Sequence, residues 1–246
     1  MANVIIEEER TAREPVRHEE VYGREERGPA ARVFLQPIAA PSVLGLYAYA
    51  GATLMVGAYM AGWYGGVETP LYLLPFAAFF GGLAQFLSGM WAYKARDGLA
   101  TAFHGMWGSF WMSYGLLYLM FATGTIALPL LQFPELGFWF IVLGWVTFML
   151  MVAALGINWS MVGVLAPSTA ASIIAAVALF FGSNALMIVA GWIFVFSAVV
   201  AWYAASAILF ESVYGRAILP IFKTEHAKER PRISIGAGEP GVTHGQ

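Results

Sequence analysis

PFAAFFGGLAQFLSGMWAYKARDGLATAFHGMWGSFW, residues 75–111, is an apolar run that meets a short charged break and turns apolar again. Lys94, Arg96 and Asp97 are the only charges between Glu68 and Glu135. A water-facing surface of that length interleaves charges throughout, because soluble folds keep them on their exposed faces. A bilayer accounts for the distribution. Two segments of about 20 apolar residues each cross roughly 30 Å of hydrocarbon at about 1.5 Å per residue, and the break between them sits among the headgroups. Lys94 and Arg96 then place their loop on the cytoplasmic side, since short loops carrying Lys or Arg resist translocation.

The rest of the chain follows the same pattern. Of 246 residues, 59% are apolar and 11% are charged, against about a quarter charged in soluble domains. Lysine and arginine fall in three places: Arg10 to Arg32 ahead of the first apolar run, Lys94 and Arg96 in the break, and Arg216 to Arg232 after the last run. At both ends they are mixed with acidic residues, so no basic patch for nucleic acid forms. The absence of cysteine excludes disulfides, thiolate metal sites and a cysteine nucleophile. The opening MANVIIEEERTAREP lacks the basic then apolar layout of a cleaved signal, so the first apolar segment is expected to act as an uncleaved insertion signal.

These observations predict an all-α polytopic membrane protein with six transmembrane helices and both termini cytoplasmic. The expected spans are Val43–Tyr64, Leu71–Tyr93, Leu99–Ala122, Leu136–Leu155, Val162–Phe181 and Leu186–Phe210. An even number of spans returns the C-terminus to the side of the N-terminus and puts every Lys and Arg on one face. Residues 1–40 read as a charged cytoplasmic tail too poor in apolar surface to fold alone. Residues 41–221 read as the transmembrane domain, and 222–246 as a second cytoplasmic tail. Comparison of 43–122 with 136–210 shows no convincing internal repeat.

Enzymatic chemistry needs convergent titratable groups, and the apolar part offers almost none. His104 is its single histidine, expected near the headgroups and bonded to backbone or water. No second histidine could complete a haem clamp, no lysine stands inside a span to form a Schiff base, and the acid clusters of metal sites and proton pumps are missing. No cofactor or metal is expected. Gln85 sits at mid-depth after Gly81 and Gly82, where a primary amide must bond either a neighbouring helix or something that passes. Tyr47, Tyr49, Trp107 and Tyr114 carry aromatic bodies with polar tips, suited to an interfacial belt or to a pathway lining. Asn184 stands at the turn into the last span and reads first as a helix N-cap. Uncharged pores pass anions using amide and hydroxyl donors, so the low charge is compatible with anion transport.

Residues 81–111, GGLAQFLSGMWAYKARDGLATAFHGMWGSFW, resemble the hallmark region of the acetate uptake transporter family: a GG-x-AQ-x5-G segment, a YK-containing loop, then TAF and GSFW. Residues 190–221, closing on GR-x-x-LP, are similar to that family's last span. The resemblance implies a six-helix protomer, a homohexameric assembly, and in each protomer a pathway for acetate or related short carboxylates, succinate among them, with uptake linked to protons. The family motif N-P-A-P-L-G-L is partly kept as Ala40, Pro41, Ser42, Val43, Leu44, Gly45 and Leu46. By resemblance, Tyr49 and Trp107 take the places of the aromatics that narrow the pathway from the first and third spans, Trp107 standing where tyrosine is usual. The fifth-span member of that narrowing is left open.

The expectation is therefore a multi-pass, non-enzymatic permeator of the cell membrane, with carboxylates passing Tyr49, Gln85 and Trp107, and His104, Tyr114 and Asn184 as supporting candidates. A passive anion channel and a non-transporting membrane scaffold or sensor are the competing readings.

Overall fold

The computed structural model describes residues 38–129 and 132–225, and all regular elements among them are helical apart from one isolated backbone bridge. Most of the two charged tails expected at residues 1–40 and 222–246 lies outside these residues. Helix α1 is Pro41–Met60, and α2 joins three segments, Thr69–Phe76, Ala77–Ala84 and Gln85–Ala95. Then follow α3 (Gly98–Ala122), α4 (Pro134–Ala154), α5 (Trp159–Phe181) and α6 (Asn184–Tyr214). Each helix overlaps one apolar segment of the sequence. The first is shorter than expected, since the chain turns at Gly62 with φ +77° and leaves Tyr64 in the loop.

The ends are set locally. Proline occupies the first turn of α1, α2 and α4, where its missing N–H costs no helical bond. Asp97 caps α3 by accepting from the Ala100 amide at 2.9 Å, and Asn158 caps α5 from Met161 at 2.8 Å. The cap of α6 is Ser183, one residue earlier than the Asn184 expected: the serine backbone is extended and its hydroxyl accepts from Leu186 at 3.4 Å, so Asn184 is the first helical residue. Gly182 and Gly215, both at positive φ, end α5 and α6.

Five of the six helices are long and apolar enough to cross a bilayer. The exception is α3, which is 25 residues long but carries His104, two serines and a row of aromatics. Its aromatic row lines the interior of the bundle. The middle of α2, Ala77–Ala84, is wound as a π-helix. Pro75, two residues before it, removes one backbone donor, and Gly81 and Gly82 let this turn press against Trp111 and Met112. Wider winding at such a place re-aims the side chains that follow. Gln85 is the first of these.

The six helices close a ring in which each packs on its sequence neighbours and α6 packs back on α1. Small residues bring the backbones together. At the α1–α6 contact, a methyl group on Gly191 would strike the Gly57 carbonyl and the Ala61 amide. Successive helices run in opposite directions, so the described Lys and Arg residues, Lys94, Arg96, Arg216 and Lys223, gather at one end of the ring. Past α6 the chain stays on the bundle: Trp159 donates to the Phe222 carbonyl at 2.9 Å, Thr224 donates to Ile157 at 3.1 Å, and the Tyr203 hydroxyl donates to Pro220 at 2.7 Å. The segment after α6 thus straps the α4–α5 loop.

Gly191→Val is expected to prise α6 from α1 at a cost of about 1–3 kcal/mol, the usual price of overpacking. In detergent this reads as a lower thermal midpoint and a shift from a single size-exclusion peak toward aggregate. An unchanged midpoint contradicts the close contact.

Candidate functional site

The inward faces of α1, α2 and α3 meet in successive turns, because residues three or four apart on a helix share a face. Nearest the basic end are Gly45, Ser88 and His104: a methyl group on Gly45 would land on both the imidazole and the Ser88 hydroxyl. One turn further are Tyr49, Gln85 and Trp107, all buried. The Tyr49 ring lies edge-on to Trp107 with centroids 5.1 Å apart and interplanar angle 87°, and also 5.1 Å from Phe103. The next turn holds Thr53 and Trp111, with Gly81 of α2 against the Trp111 indole.

An opening of about 400 Å³ leads inward from the end opposite the basic loop. Tyr64, Tyr118, Leu136 and Asn184 line its wider part, and Thr53, Trp111, Tyr114 and Trp107 line its depth. At the mouth the Tyr64 hydroxyl donates to the Met55 carbonyl at 2.7 Å, and burial raises this phenol above its ordinary pKa, so it stays a neutral donor. Tyr49, Gln85 and His104 lie beyond the floor at Trp107. At the basic end, Pro41, Leu44, Ser88 and Trp91 bound a shallower recess, and the Lys94 ammonium sits 4.7 Å above the Trp91 ring. Of the partly kept motif, Pro41 and Leu44 therefore reach this recess, while Gly45 and Leu46 are buried behind it.

The polar hydrogens of the middle turn can be followed one by one. Ser168 and Ser197 both donate to the Val164 carbonyl, at 2.6 and 2.8 Å. Both hydroxyls also hydrogen-bond the Tyr49 hydroxyl, which lies 2.5 Å from Ser168 and 3.0 Å from Ser197. Thr147 donates to Leu143 at 2.6 Å and accepts the Trp107 indole N–H at 3.1 Å. Both aromatic tips are thereby committed to α4, α5 and α6. Among the described residues, the buried side-chain N and O atoms with no hydrogen bond in the chain are Thr53 Oγ1, both amide atoms of Gln85, His104 Nδ1 and Trp111 Nε1. Thr53 leans toward the Tyr49 hydroxyl without reaching hydrogen-bond geometry. All four residues stand on the faces of α1, α2 and α3 just described.

An unbonded buried donor or acceptor costs about 1–3 kcal/mol, and in hydrocarbon no water offsets it. A column of four such residues is therefore not explained by packing. Of the two readings of Gln85, a bond to a neighbouring helix is not seen: neither of its amide atoms has a partner in the chain. His104, expected near the headgroups with a backbone or water partner, lies toward the basic end and is 1% exposed, with Nδ1 unbonded within the chain and Gly45 leaving room for its ring. Tyr114 lines the opening, and Tyr47 is tied to Ser206 at 2.9 Å, away from the column. The sequence reading missed Thr53, Trp111, Thr147, Ser168 and Ser197. Their only signal was spacing: Thr53 is four residues after Tyr49, Trp111 four after Trp107, and Ser160, Ser168 and Ser172 share one face of α5.

With this geometry in hand, comparison with known proteins adds a family. The sequence profile of the GPR1/FUN34/yaaH family matches residues 23–222. The chain is 26% identical over 186 residues to the succinate-acetate/proton symporter SatP of Escherichia coli K12, covering 75% of this chain and 95% of that protein. It is 33% identical over 79 residues to the meiotically up-regulated gene 86 protein of Schizosaccharomyces pombe, covering 32% of this chain and 26% of the relative. Among solved structures it is similar to the bacterial acetate channel SatP, with TM-score 0.69 and 26% identity, covering 75% of this chain and 99% of that one.

If the Gln85 amide is held for a solute, replacing it with the similarly shaped Gln85→Met removes a desolvation cost. The thermal midpoint in detergent then stays level or rises. A fall of several degrees would show that the amide supports the fold.

Proposed function

The chain belongs to the GPR1/FUN34/yaaH family, and we propose that it is a six-span uptake protein of the cell membrane for acetate and related small monocarboxylates. The observation that carries this reading is the Gln85 amide, buried at mid-depth with both of its polar atoms unbonded. Gln85, Thr53 and Trp111 offer donors in a column that contains no carboxylate, the arrangement that suits a small anion shedding its water. The relatives named above, a succinate-acetate/proton symporter and an acetate channel, support the same substrate class.

Each part then has a role. The recess at Trp91 and Lys94 is the cytoplasmic mouth, the opening at Tyr64 and Asn184 is the external one, and Tyr49 with Trp107 is the narrowing between them. Both termini lie in the cytoplasm with the basic loop, by the distribution of Lys and Arg. Residues 41–221 form the transport domain, flanked by cytoplasmic tails at 1–40 and 222–246, and the assembly is a homohexamer with one pathway per protomer. Acetate is favoured over succinate, because a second carboxylate would cross a column that has no lysine or arginine to offset its charge. Uptake is linked to protons, with the acid itself or His104 as the carrier.

The test is uptake of labelled acetate into liposomes holding the purified protein, with and without an inward pH step. Expected are uptake that unlabelled acetate competes away, acceleration by the acidic outside, and at least a tenfold loss in Gln85→Met. Equal flux in protein-free liposomes, or full flux in Gln85→Met, overturns the assignment; current without proton movement replaces symport with passive conduction.

A further inference from the structure

The two aromatics at the narrowing differ in how they are fixed, and the difference points to residues that set what passes. Trp107 is pinned by one bond to Thr147, whereas the Tyr49 hydroxyl faces two serines on two different helices. Ser168 and Ser197 lie 2.8 Å apart, and both are fully buried. Each also lies within hydrogen-bond distance of the Val164 carbonyl, so the Tyr49 hydroxyl, the two serine hydroxyls and that carbonyl form one buried network that holds the ring tip.

We propose that Ser168 on α5 and Ser197 on α6 latch the Tyr49 ring across the pathway and thereby set the largest acid that crosses. The inference rests on the reading above that Tyr49 lines the route. Its physical core is that any solute passing Trp107 must swing the Tyr49 ring aside, and that the swing breaks its bonds to both serines at once. A small acid needs a small excursion; a larger one needs the latch undone. Ser168 and Ser197 thus act on the narrowing through Tyr49, and selection by size comes from the strength of a hydrogen-bonded hinge as well as from bulk.

The test measures the ratio of butyrate to acetate uptake rates in proteoliposomes for wild type, Tyr49→Phe, Ser168→Ala/Ser197→Ala, Ser168→Thr/Ser197→Thr, the triple combination and Tyr49→Ala. Size-exclusion profiles confirm that each variant is folded. Tyr49→Phe and the double alanine variant are each expected to raise the ratio roughly fivefold or more. The triple variant should add nothing to either, because both changes remove the same bonds, and the threonine pair, which keeps the hydroxyls, should stay near wild type. If Tyr49→Phe and the double alanine variant keep the wild-type ratio while Tyr49→Ala raises it, Tyr49 lines the route but the serines do not latch it. If Tyr49→Ala also leaves the ratio unchanged, the placement of Tyr49 in the route fails and the latch with it.

Discussion

A bilayer interior gives buried polar groups nothing to bond except each other, so a membrane bundle satisfies its polar side chains internally or uses them. In this chain both cases stand one turn apart. Tyr49, Trp107, Thr147, Ser168 and Ser197 form closed sets in which every proton can be assigned an acceptor. Thr53, Gln85, His104 and Trp111 are left with unbonded atoms on the inward faces of α1, α2 and α3. The first group ties the helices together, and the second is the group on which the proposed pathway rests. The close α2–α3 contacts through Gly89, Gly105 and Gly108 matter for the same reason: they hold Gln85 inside while excluding bulk that would fill the column.

The two ends of the bundle are chemically unlike. The external opening is deep, aromatic and uncharged apart from the nearby Glu68 and Glu135, while the other end gathers Lys94, Arg96, Arg216 and Lys223. The strap after α6 ties the C-terminal segment to the α4–α5 loop at that basic end. On the proposed route, a solute entering from the aromatic side would move toward positive charge, a polarity that favours a carboxylate.

Much of this was legible in the sequence, for identifiable reasons. Spans announce themselves by length and by the confinement of charge to Lys94, Arg96 and the ends, so an all-helical chain with several membrane-spanning segments followed directly. Tyr49 and Trp107 pack edge to face, and Gln85 is buried with them in the bundle. What failed was azimuth and depth. Helices that are apolar all round have no hydropathy stripe to say which face looks inward, so Ser168, Ser197 and Thr147 gave no warning that they would bond the two aromatics. The burial of His104 gave no warning either, because proximity to a charged loop in sequence says little about packing once a glycine such as Gly45 makes space. The π-wound turn before Gln85 depends on Pro75 acting together with Gly81 and Gly82, a combination visible only in three dimensions.

The central claim is that a continuous route open to small solutes runs along Thr53, Gln85, Ser88 and His104 inside the bundle. The chain has no cysteine, so single cysteines can be placed at those positions and at the lipid-facing Val142 and Val199, then treated with a small water-soluble thiol reagent in sealed proteoliposomes. The account predicts that the four inner cysteines are modified, that acetate slows the reaction, and that the lipid-facing pair stays unmodified. Inner cysteines as inert as those facing lipid would contradict it.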